Sequence, residues 1–167
     1  MSLTQKIFKC LLPLAVLLSL AATHLRAESE LAIAPPAITL ADNQVLNVYY
    51  FHGNVRCTSC KLIEEHTIAA IQQGYSAPLA QGIVALKMVN LEAAGNGHFI
   101  EDFQLITRSV VLAVERDGQV VEYRRLDRVW QLFNDQQAFN NYIYREIAAL
   151  KANQLAKAAA TEQITHG

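Results

Sequence analysis

Four segments of the chain have the β-branched and aromatic composition that is typical of strands. Val45–Phe51 is rich in Val and Tyr, and apolar side chains alternate with their neighbours in Ile83–Leu91. Two further runs, Val110–Glu115 and Val120–Arg124, are separated by a turn that contains Asp117-Gly118. An Asp-Gly pair suits the positive φ angles of a two-residue hairpin turn. The pattern therefore predicts four strands, the last two joined as a hairpin.

Helical spacing of apolar residues predicts the helices between these strands. A first helix is expected from Cys57 to about Gly74, because small and apolar residues recur there every three or four positions: Ile63, Thr67, Ala70 and Ile71. The connection that follows is expected to be a loop through Pro78. A short second helix is predicted over His98–Leu105.

The end of the chain also has a helical pattern. Asp127 is expected to cap a short turn that contains Trp130, and Asn134 or Asp135 to cap a longer helix. The apolar face of the longer helix consists of Phe139, Ile143, Ile147 and Leu150. The Ala-rich sequence beyond this face is expected to fray.

The order of these elements is strand, helix, strand, helix, hairpin and helix. A helix that connects two strands makes them parallel, whereas a hairpin makes them antiparallel. We therefore expect an α/β domain over residues 42–150, with a mixed four-stranded sheet and helices on both faces. Residues 28–41, which include Pro35-Pro36, are expected to form a linker, and residues 151–167 a frayed helical tail.

The first 27 residues have the pattern of a secretory signal peptide. Lys6 and Lys9 precede the uncharged run Leu11–Ala22, which is shorter than the ~20 residues needed to span a bilayer. Cleavage is expected after Ala27, and an uncleaved membrane anchor is the alternative. Cys10 precedes the apolar run, whereas a lipid-attachment cysteine would follow it, so a lipoprotein is disfavoured. The sequence thus predicts a periplasmic or otherwise exported protein.

Composition excludes several classes of protein. Of the 167 residues, 52% are hydrophobic and 17% are charged, which is typical of a globular chain and not of a disordered or collagen-like one. Removal of the signal peptide leaves 11 basic and 15 acidic side chains, a net charge of about −4. Because binding to nucleic acid depends on clustered Lys and Arg, nucleic acid is not expected as a partner.

The chemistry of the mature chain is expected at Cys57 and Cys60. They are the two cysteines that remain after Cys10 leaves with the signal peptide. A thiol at a helix amino terminus is favoured as a thiolate by the helix dipole and by unpaired backbone N–H groups, so Cys57 is predicted to be the nucleophile. The two intervening residues bring Cys60 close enough to attack a mixed disulfide and release the partner.

Three charged residues beside the pair act in opposite directions on the thiolate. Arg56 and Lys61 add positive charge, whereas Glu64, one turn past Cys60, would oppose thiolate formation if it points the same way. The sequence leaves the sign of the net effect open.

Two other interpretations of the cysteine pair remain open. The first is a static disulfide in an exported protein. The second is a site for Cu(I) or Zn(II) that includes His52, although a structural zinc site normally has four ligands and the chain has no second cysteine pair. His66 lies about 180° around the helix from Cys57, and His98 begins the second helix, so neither is expected to be a ligand.

From His52 to Cys60 the sequence HGNVRCTSC resembles the thioredoxin-like superfamily. Over most of residues 45–150 the chain resembles, more narrowly, the ArsF-type subunit family of nitrophenyl-compound nitroreductase. That narrower resemblance rests on several separated motifs in one order: Tyr49–His52, Val89–Glu92, His98–Leu105, Ser109–Leu112 and Leu126–Trp130. It implies a thioredoxin-like fold, a redox-active Cys57–Cys60 pair and work beside a larger reductase.

The chain departs from ordinary thioredoxins just before the third strand. Thioredoxins carry a cis-proline there that faces the redox pair, and this chain has Arg108-Ser109 instead. Arg108 and Ser109 are therefore expected to line the site together with His52 and Arg56. The sequence has no flavin or nicotinamide fingerprint such as G-x-G-x-x-G, so no cofactor is expected.

These observations predict an exported thiol-disulfide oxidoreductase that exchanges electrons with a dithiol or disulfide of a protein partner. The alternatives are a protein that binds or delivers a thiophilic metal through Cys57 and Cys60, and a non-catalytic accessory subunit of a reductase. In the last case the region of Trp130 would dock the reductase, although a core position is the favoured interpretation of this residue.

Overall fold

The computed structural model describes the backbone of residues 31–165 and the side chains of residues 31–160. Residues 1–27, for which a signal peptide is predicted, lie outside the described residues. Within the described part of the chain, no helix combines the length and the hydrophobicity that a membrane span requires.

The sheet consists of four strands: β1 (Gln44–His52), β2 (Val84–Asn90), β3 (Val110–Arg116) and β4 (Gln119–Leu126). Their order across the sheet is β2-β1-β3-β4. The pairing of β1 with β2 is parallel, and β3 is antiparallel to both β1 and β4, as predicted. Asp117 and Gly118 have φ angles of 52° and 79°, so the predicted tight hairpin turn is confirmed.

Within residues 31–165, five helices surround the sheet: α1 (Thr58–Gly74), α2 (Ser76–Ala80), α3 (His98–Asp102), α4 (Val129–Leu132) and α5 (Gln136–Thr165). The order of the elements, the strand directions and the helix that follows β1 together make a thioredoxin-like α/β fold. The predicted order of elements is therefore confirmed, with α2 as an addition.

Three local predictions differ from the structure. The loop through Pro78 contains the short helix α2, and Pro78 lies in its first turn, where a missing N–H costs nothing. The helix α3 ends at Asp102, before the predicted end, because the chain turns at Gln104 with φ 50°. Asp127 does not cap α4; its carboxylate accepts hydrogen bonds from Arg125 Nε at 2.8 and 2.9 Å.

The strand β1 is buried on both faces of the sheet, which explains its nearly continuous apolar sequence. Side chains alternate along a strand, so Val48 and Tyr50 face α1 and α5, where the larger core cluster lies. Tyr49 and Phe51 face the other side and pack with Phe103 in a smaller aromatic cluster next to α3. The predicted apolar face of α5 is buried in the larger cluster: Phe139, Ile143, Ile147 and Leu150.

The segments that flank the predicted domain pack against it. Ile33 N donates to Asn141 Oδ1 at 2.8 Å, and Lys151 Nζ donates to the carbonyl of Ala37 at 3.0 Å. Ile38 and Leu40 contact the larger core cluster, although residues 31–41 form no helix or strand. The tail that was predicted to fray continues α5 as far as Thr165.

Candidate functional site

The two cysteines lie where the central strand passes into the first helix. Cys57 is the N-cap residue of α1, and its Sγ accepts a hydrogen bond from the backbone N–H of Cys60 at 3.2 Å. The two side chains form a disulfide with a Cα–Cα distance of 5.0 Å. No acidic residue lies in the first turn of α1, so the helix dipole acts on Cys57 without a local opposing charge in that turn.

The two sulfur positions differ in their exposure to solvent. Cys57 is exposed, whereas Cys60 is 2% exposed and lies in the interior. An incoming thiolate can therefore reach Cys57 from solvent, and Cys60 is accessible only through its neighbour. The rate of exchange at a disulfide depends on which sulfur is attacked. The difference in exposure therefore favours attack at Cys57 with Cys60 as the leaving group.

A buried tyrosine lies beneath the disulfide. Tyr50 is fully buried, and its hydroxyl donates to the carbonyl of Cys60 at 2.7 Å. Burial raises the pKa of Tyr50 above its ordinary value, while the nearby positive charges of Arg56 and Arg108 act in the opposite direction. This hydrogen bond ties the first turn of α1 to the centre of the sheet. The effects of Arg56 and Arg108 on the Tyr50 pKa place both arginines within electrostatic reach of this tyrosine.

One arginine is paired along the first two turns of α1. The guanidinium of Arg56 forms an ion pair with Glu64 and lies 6.0 Å from the centroid of the Tyr50 ring. The carboxylate of Glu64, one turn past Cys60, is thus directed back toward Arg56, the residue before Cys57. Opposite charges therefore meet beside Cys57, and the sequence alone does not give the sign of their combined effect on its thiolate.

The second arginine is paired on the opposite wall. Arg108 Nη2 donates to Glu92 Oε1 at 2.9 Å, and the pair lies directly over Gly53. The backbone of Asn54, followed by the side chain of Arg108, holds the pKa of Glu92 below its usual value. A side chain at Gly53 would overlap both partners, since its Cβ would lie 2.7 Å from Arg108 Nε. Glycine is therefore what allows this ion pair to approach the backbone.

The other predicted site residues occupy different surroundings. His52 is half-buried, with Nδ1 3.1 Å from the carbonyl of Gly53 and its ring centroid 6.1 Å from that of Tyr50. Ser109 has no exposed surface, and its hydroxyl donates to the carbonyl of Leu126 at 3.2 Å. The structure thus places His52, Arg56 and Arg108 around Tyr50, while the Ser109 hydroxyl is engaged within the sheet.

The segment before β3 is held by a tryptophan and contains no cis bond. Trp130 Nε1 donates to the carbonyl of Arg108 at 2.7 Å, and Trp130 packs at the edge of the larger core cluster. No cis peptide bond occurs among the described residues. The opposing wall of the site is therefore built from an arginine backbone that is anchored by an indole.

Tyr50 and Glu92 belong to the site but were not identified as functional residues from the sequence. Both lie in motifs that carried only the family resemblance. Glu92 follows β2 by two residues, and β1 and β2 are parallel with His52 opposite Asn90, so the residues after both strands meet at one edge. Parallel pairing is thus the signal that identifies Glu92. Tyr50 lies two residues before His52 on the strand that leads to the cysteines.

Among residues 31–160, no group of three or more His, Cys, Asp or Glu side chains is arranged to hold a metal ion. His66 Nε2 lies 3.1 Å from the carbonyl of Phe133, and His98 Nδ1 lies 2.6 Å from Asp102 Oδ2. Both histidines therefore have local partners of their own.

Sizeable concavities of the described surface lie away from the disulfide. One of about 620 Å³ lies beside α3 and the β3–β4 hairpin, and another of about 540 Å³ lies beside the later part of α5. Neither is lined by a cysteine. The disulfide is thus presented at an exposed edge and not inside either cavity.

The chain is similar to several solved thioredoxin structures. Thioredoxin O2 from Arabidopsis thaliana is 19% identical, with 54% of this chain and 70% of that chain covered and a TM-score of 0.35. Thioredoxin from Trypanosoma brucei brucei is 19% identical, with the same coverage and a TM-score of 0.33. Chlamydomonas reinhardtii thioredoxin f2 is 19% identical, with 58% and 83% covered and a TM-score of 0.35. No protein-family model and no curated protein matches the chain.

Proposed function

We propose that the protein is an exported thiol-disulfide oxidoreductase that uses Cys57 and Cys60 to exchange electrons with a protein partner. The observation that carries this proposal is the asymmetric disulfide at the start of α1. One of its cysteines is exposed and caps the helix, and the other is buried beside it. A disulfide between residues three apart closes almost no chain, so it adds little stability, and a redox role is the better explanation.

The exchange proceeds in two balanced steps. A thiolate of the partner attacks the sulfur of Cys57, forms a mixed disulfide and expels Cys60 as a thiolate, which takes up a proton. A second thiolate of the partner then attacks the partner sulfur that is bonded to Cys57, closes a disulfide within the partner and releases Cys57 as a thiolate. The partner loses two electrons and gains a disulfide, and Cys57 and Cys60 gain them as two reduced sulfurs. The same steps run in reverse when Cys57 attacks a partner disulfide and Cys60 resolves the intermediate.

The partner is proposed to be a protein. The exposed Cys57 lies at an edge that a macromolecule can approach, and the charged rim of Arg108 and Glu92 is about 40% exposed beside it. The motif resemblance to the ArsF-type subunit family extends the proposal to a larger reductase as partner. Export is proposed on the basis of the predicted signal peptide, and an exported protein would carry its disulfide in an oxidising compartment.

Trapping the mixed disulfide tests the proposal. The mature protein is equilibrated with reduced and oxidised glutathione, and the disulfide fraction is read by alkylation and mass spectrometry. We expect a reversible equilibrium. Cys60→Ser should accumulate a mixed disulfide on Cys57, whereas the matched variant Cys57→Ser should not, because its remaining thiol is buried.

Two outcomes would overturn the proposal. A disulfide that stays closed across the accessible glutathione range would indicate a static bridge. Stoichiometric metal that co-purifies with the reduced protein and blocks alkylation of both thiols would indicate a metal-binding protein. A mixed disulfide found on Cys60 would leave the exchange chemistry in place and reverse the two roles.

A further inference from the structure

Arg56 occupies a distinctive place beside the disulfide. It immediately precedes Cys57, and its side chain is about three-quarters buried. It lies 6.0 Å from the ring centroid of Tyr50, the residue that bonds to the carbonyl of Cys60. A cation in this position lies close to any negative charge that develops on the sulfurs, and partial burial strengthens that interaction.

The pairing of Arg56 leaves one of its donors unused. The guanidinium forms its ion pair with Glu64, whose side chain is 22% exposed. The Nε group of Arg56 is buried and has no hydrogen-bond partner among the described residues. A buried donor without an acceptor costs free energy, and an acceptor that is present in only one redox state would remove that cost in that state.

Reduction supplies such an acceptor. When the disulfide opens by two electrons, Cys57 becomes a thiol or a thiolate, and the thiolate is an anion on the residue next to Arg56. The charged and titratable groups around it come from four parts of the fold: Tyr50 and His52 of β1, Lys61 and Glu64 of α1, Glu92 after β2, and Arg108 before β3. Glu92 and Arg108 are paired with each other, which leaves the Arg56–Glu64 pair as the adjustable one.

We propose that Arg56 stabilises the Cys57 thiolate of the reduced protein and that Glu64, acting through Arg56, limits this stabilisation and so sets the reduction potential. The inference rests on the proposed redox function. In the oxidised protein Glu64 is the anion paired with Arg56, whose guanidinium also lies near the Tyr50 ring, and in the reduced protein Glu64 and the thiolate compete for that guanidinium. Glu64 is thus a positioning residue that acts through Arg56, and Arg56 acts on the thiolate of the adjacent residue, Cys57.

Removing the charge of Glu64 and removing the charge of Arg56 should therefore have opposite effects on the reduction potential of the cysteine pair. In Glu64→Gln, Arg56 has no competing carboxylate and interacts more strongly with the Cys57 thiolate. The thiolate becomes more stable, and the cysteine pair becomes easier to reduce. Arg56→Gln leaves Glu64 as an unpaired negative charge beside the sulfur and makes the pair harder to reduce. We expect about a tenfold change in the glutathione equilibrium constant for each, which corresponds to about 30 mV.

The experiment compares two adjacent carboxylates. Glu64→Gln and Glu65→Gln remove the same charge from α1, but Glu65 is exposed one position further along the helix. Each is made in the full mature protein, and the glutathione equilibrium is measured. The rate of iodoacetamide alkylation against pH is measured in the Cys60→Ser background and gives the pKa of the Cys57 thiol. Arg56→Gln and Arg56→Lys complete the series.

We expect Glu64→Gln to lower the Cys57 pKa and raise the potential, Arg56→Gln to do the reverse, and Glu65→Gln to change neither measurably. Arg56→Lys keeps the charge but lacks the Nε donor, so we expect a value between those of the parent and Arg56→Gln. Circular dichroism of each variant confirms that it is folded before the comparison is made.

The inference would be overturned if Glu64→Gln and Glu65→Gln had the same Cys57 pKa and reduction potential. It would also be overturned if Glu64→Gln and Arg56→Gln shifted the reduction potential in the same direction. These outcomes are distinct from failure of the proposed function. If the parent protein does not exchange with glutathione at all, the redox function fails. If it exchanges normally and the variants match it, only the role of the ion pair is excluded.

Discussion

Replacing Gly53 with Ala would test the ion pair on the opposing wall of the site. The pair between Arg108 and Glu92 lies directly over the Cα of Gly53, and an added Cβ would overlap both side chains. Real Cβ atoms do not tolerate such approaches, so something must move. The two side chains are 39% and 43% exposed and flexible, so we expect them to separate while the backbone stays in place.

The expected change in overall stability is small because two effects oppose each other. An exposed ion pair contributes little to the free energy of unfolding, and this variant loses that contribution. Gly53 does not have a positive φ, and replacing such a glycine with Ala gains about 0.4–1 kcal/mol by restricting the unfolded chain. The free energy of unfolding should therefore stay within about 1 kcal/mol of the parent value.

The titration of Glu92 should change clearly. A hydrogen bond from the Asn54 backbone and the pairing with Arg108 lower the pKa of Glu92. Displacement of its carboxylate should return that pKa toward the ordinary value of about 4.3. Because the folded-state pKa is depressed, Glu92 contributes stability above the unfolded pKa, and this contribution disappears as the pH falls through the folded pKa. The variant should lose less stability than the parent in that acidic window.

The assay is a carbon-detected NMR titration of the Glu92 carboxyl group, assigned with the Glu92→Gln variant. Gly97→Ala serves as the matched control, because nothing lies within 4 Å of the Cβ that it would add. An unchanged Glu92 pKa in Gly53→Ala would refute the reasoning. A loss of more than about 2 kcal/mol of unfolding free energy would do so too, since it would show that the backbone and not the ion pair had moved.

Three further changes have expected outcomes. Tyr50→Phe removes the donor to the Cys60 carbonyl and should lower the free energy of unfolding in urea by about 1–2 kcal/mol, and an unchanged midpoint would contradict this. Burial raises the pKa of Tyr50, so the contribution of this side chain to the free energy of unfolding is fully present below the unfolded pKa of about 10 and is lost as pH rises through the folded pKa. The free energy of unfolding of Tyr50→Phe should therefore fall less steeply at alkaline pH than that of the parent protein. Gly118→Ala meets open space but forces φ +79° on a side chain, so thermal unfolding should show a cost of about 1 kcal/mol, and an unchanged Tm would argue against this turn geometry. Phe139→Ala leaves a cavity in the larger core cluster and should cost about 3–5 kcal/mol in the same urea assay, whereas a loss below 1 kcal/mol would place Phe139 outside the core.

The sequence was sufficient for the elements that local chemistry decides. Apolar periodicity identified the buried face of α5, and the Asp-Gly pair identified the hairpin turn with its two positive φ angles. The N-cap position of Cys57 followed from the change of pattern between a strand and a helix. Each of these depends on residues that are neighbours along the chain.

The details that the sequence did not supply depend on residues that are distant in the chain. The pairing of Arg108 with Glu92 requires that β1 and β2 end at the same edge and that Gly53 has no side chain. The direction of Glu64 depends on which side of the helix meets the residue before Cys57. The sequence pattern predicts a loop through Pro78 and not the short α2, although proline is compatible with the first turn of a helix.

The length of α5 has a practical consequence for attaching the protein to a surface. Its 30 residues span about 45 Å. Lys157, in the later part of α5, pairs with Glu122 of β4 at 3.1 Å. Glu122 lies opposite Val114 of β3, and Val114 lies opposite Leu46 of β1. Leu46 is near the opposite end of β1 from His52. Leu46 and His52 are roughly 20 Å apart at about 3.3 Å per strand residue. Attachment of the protein to a solid support at the exposed Ala158 would therefore leave the disulfide facing the solution, where a dissolved thiol or partner protein could reach it.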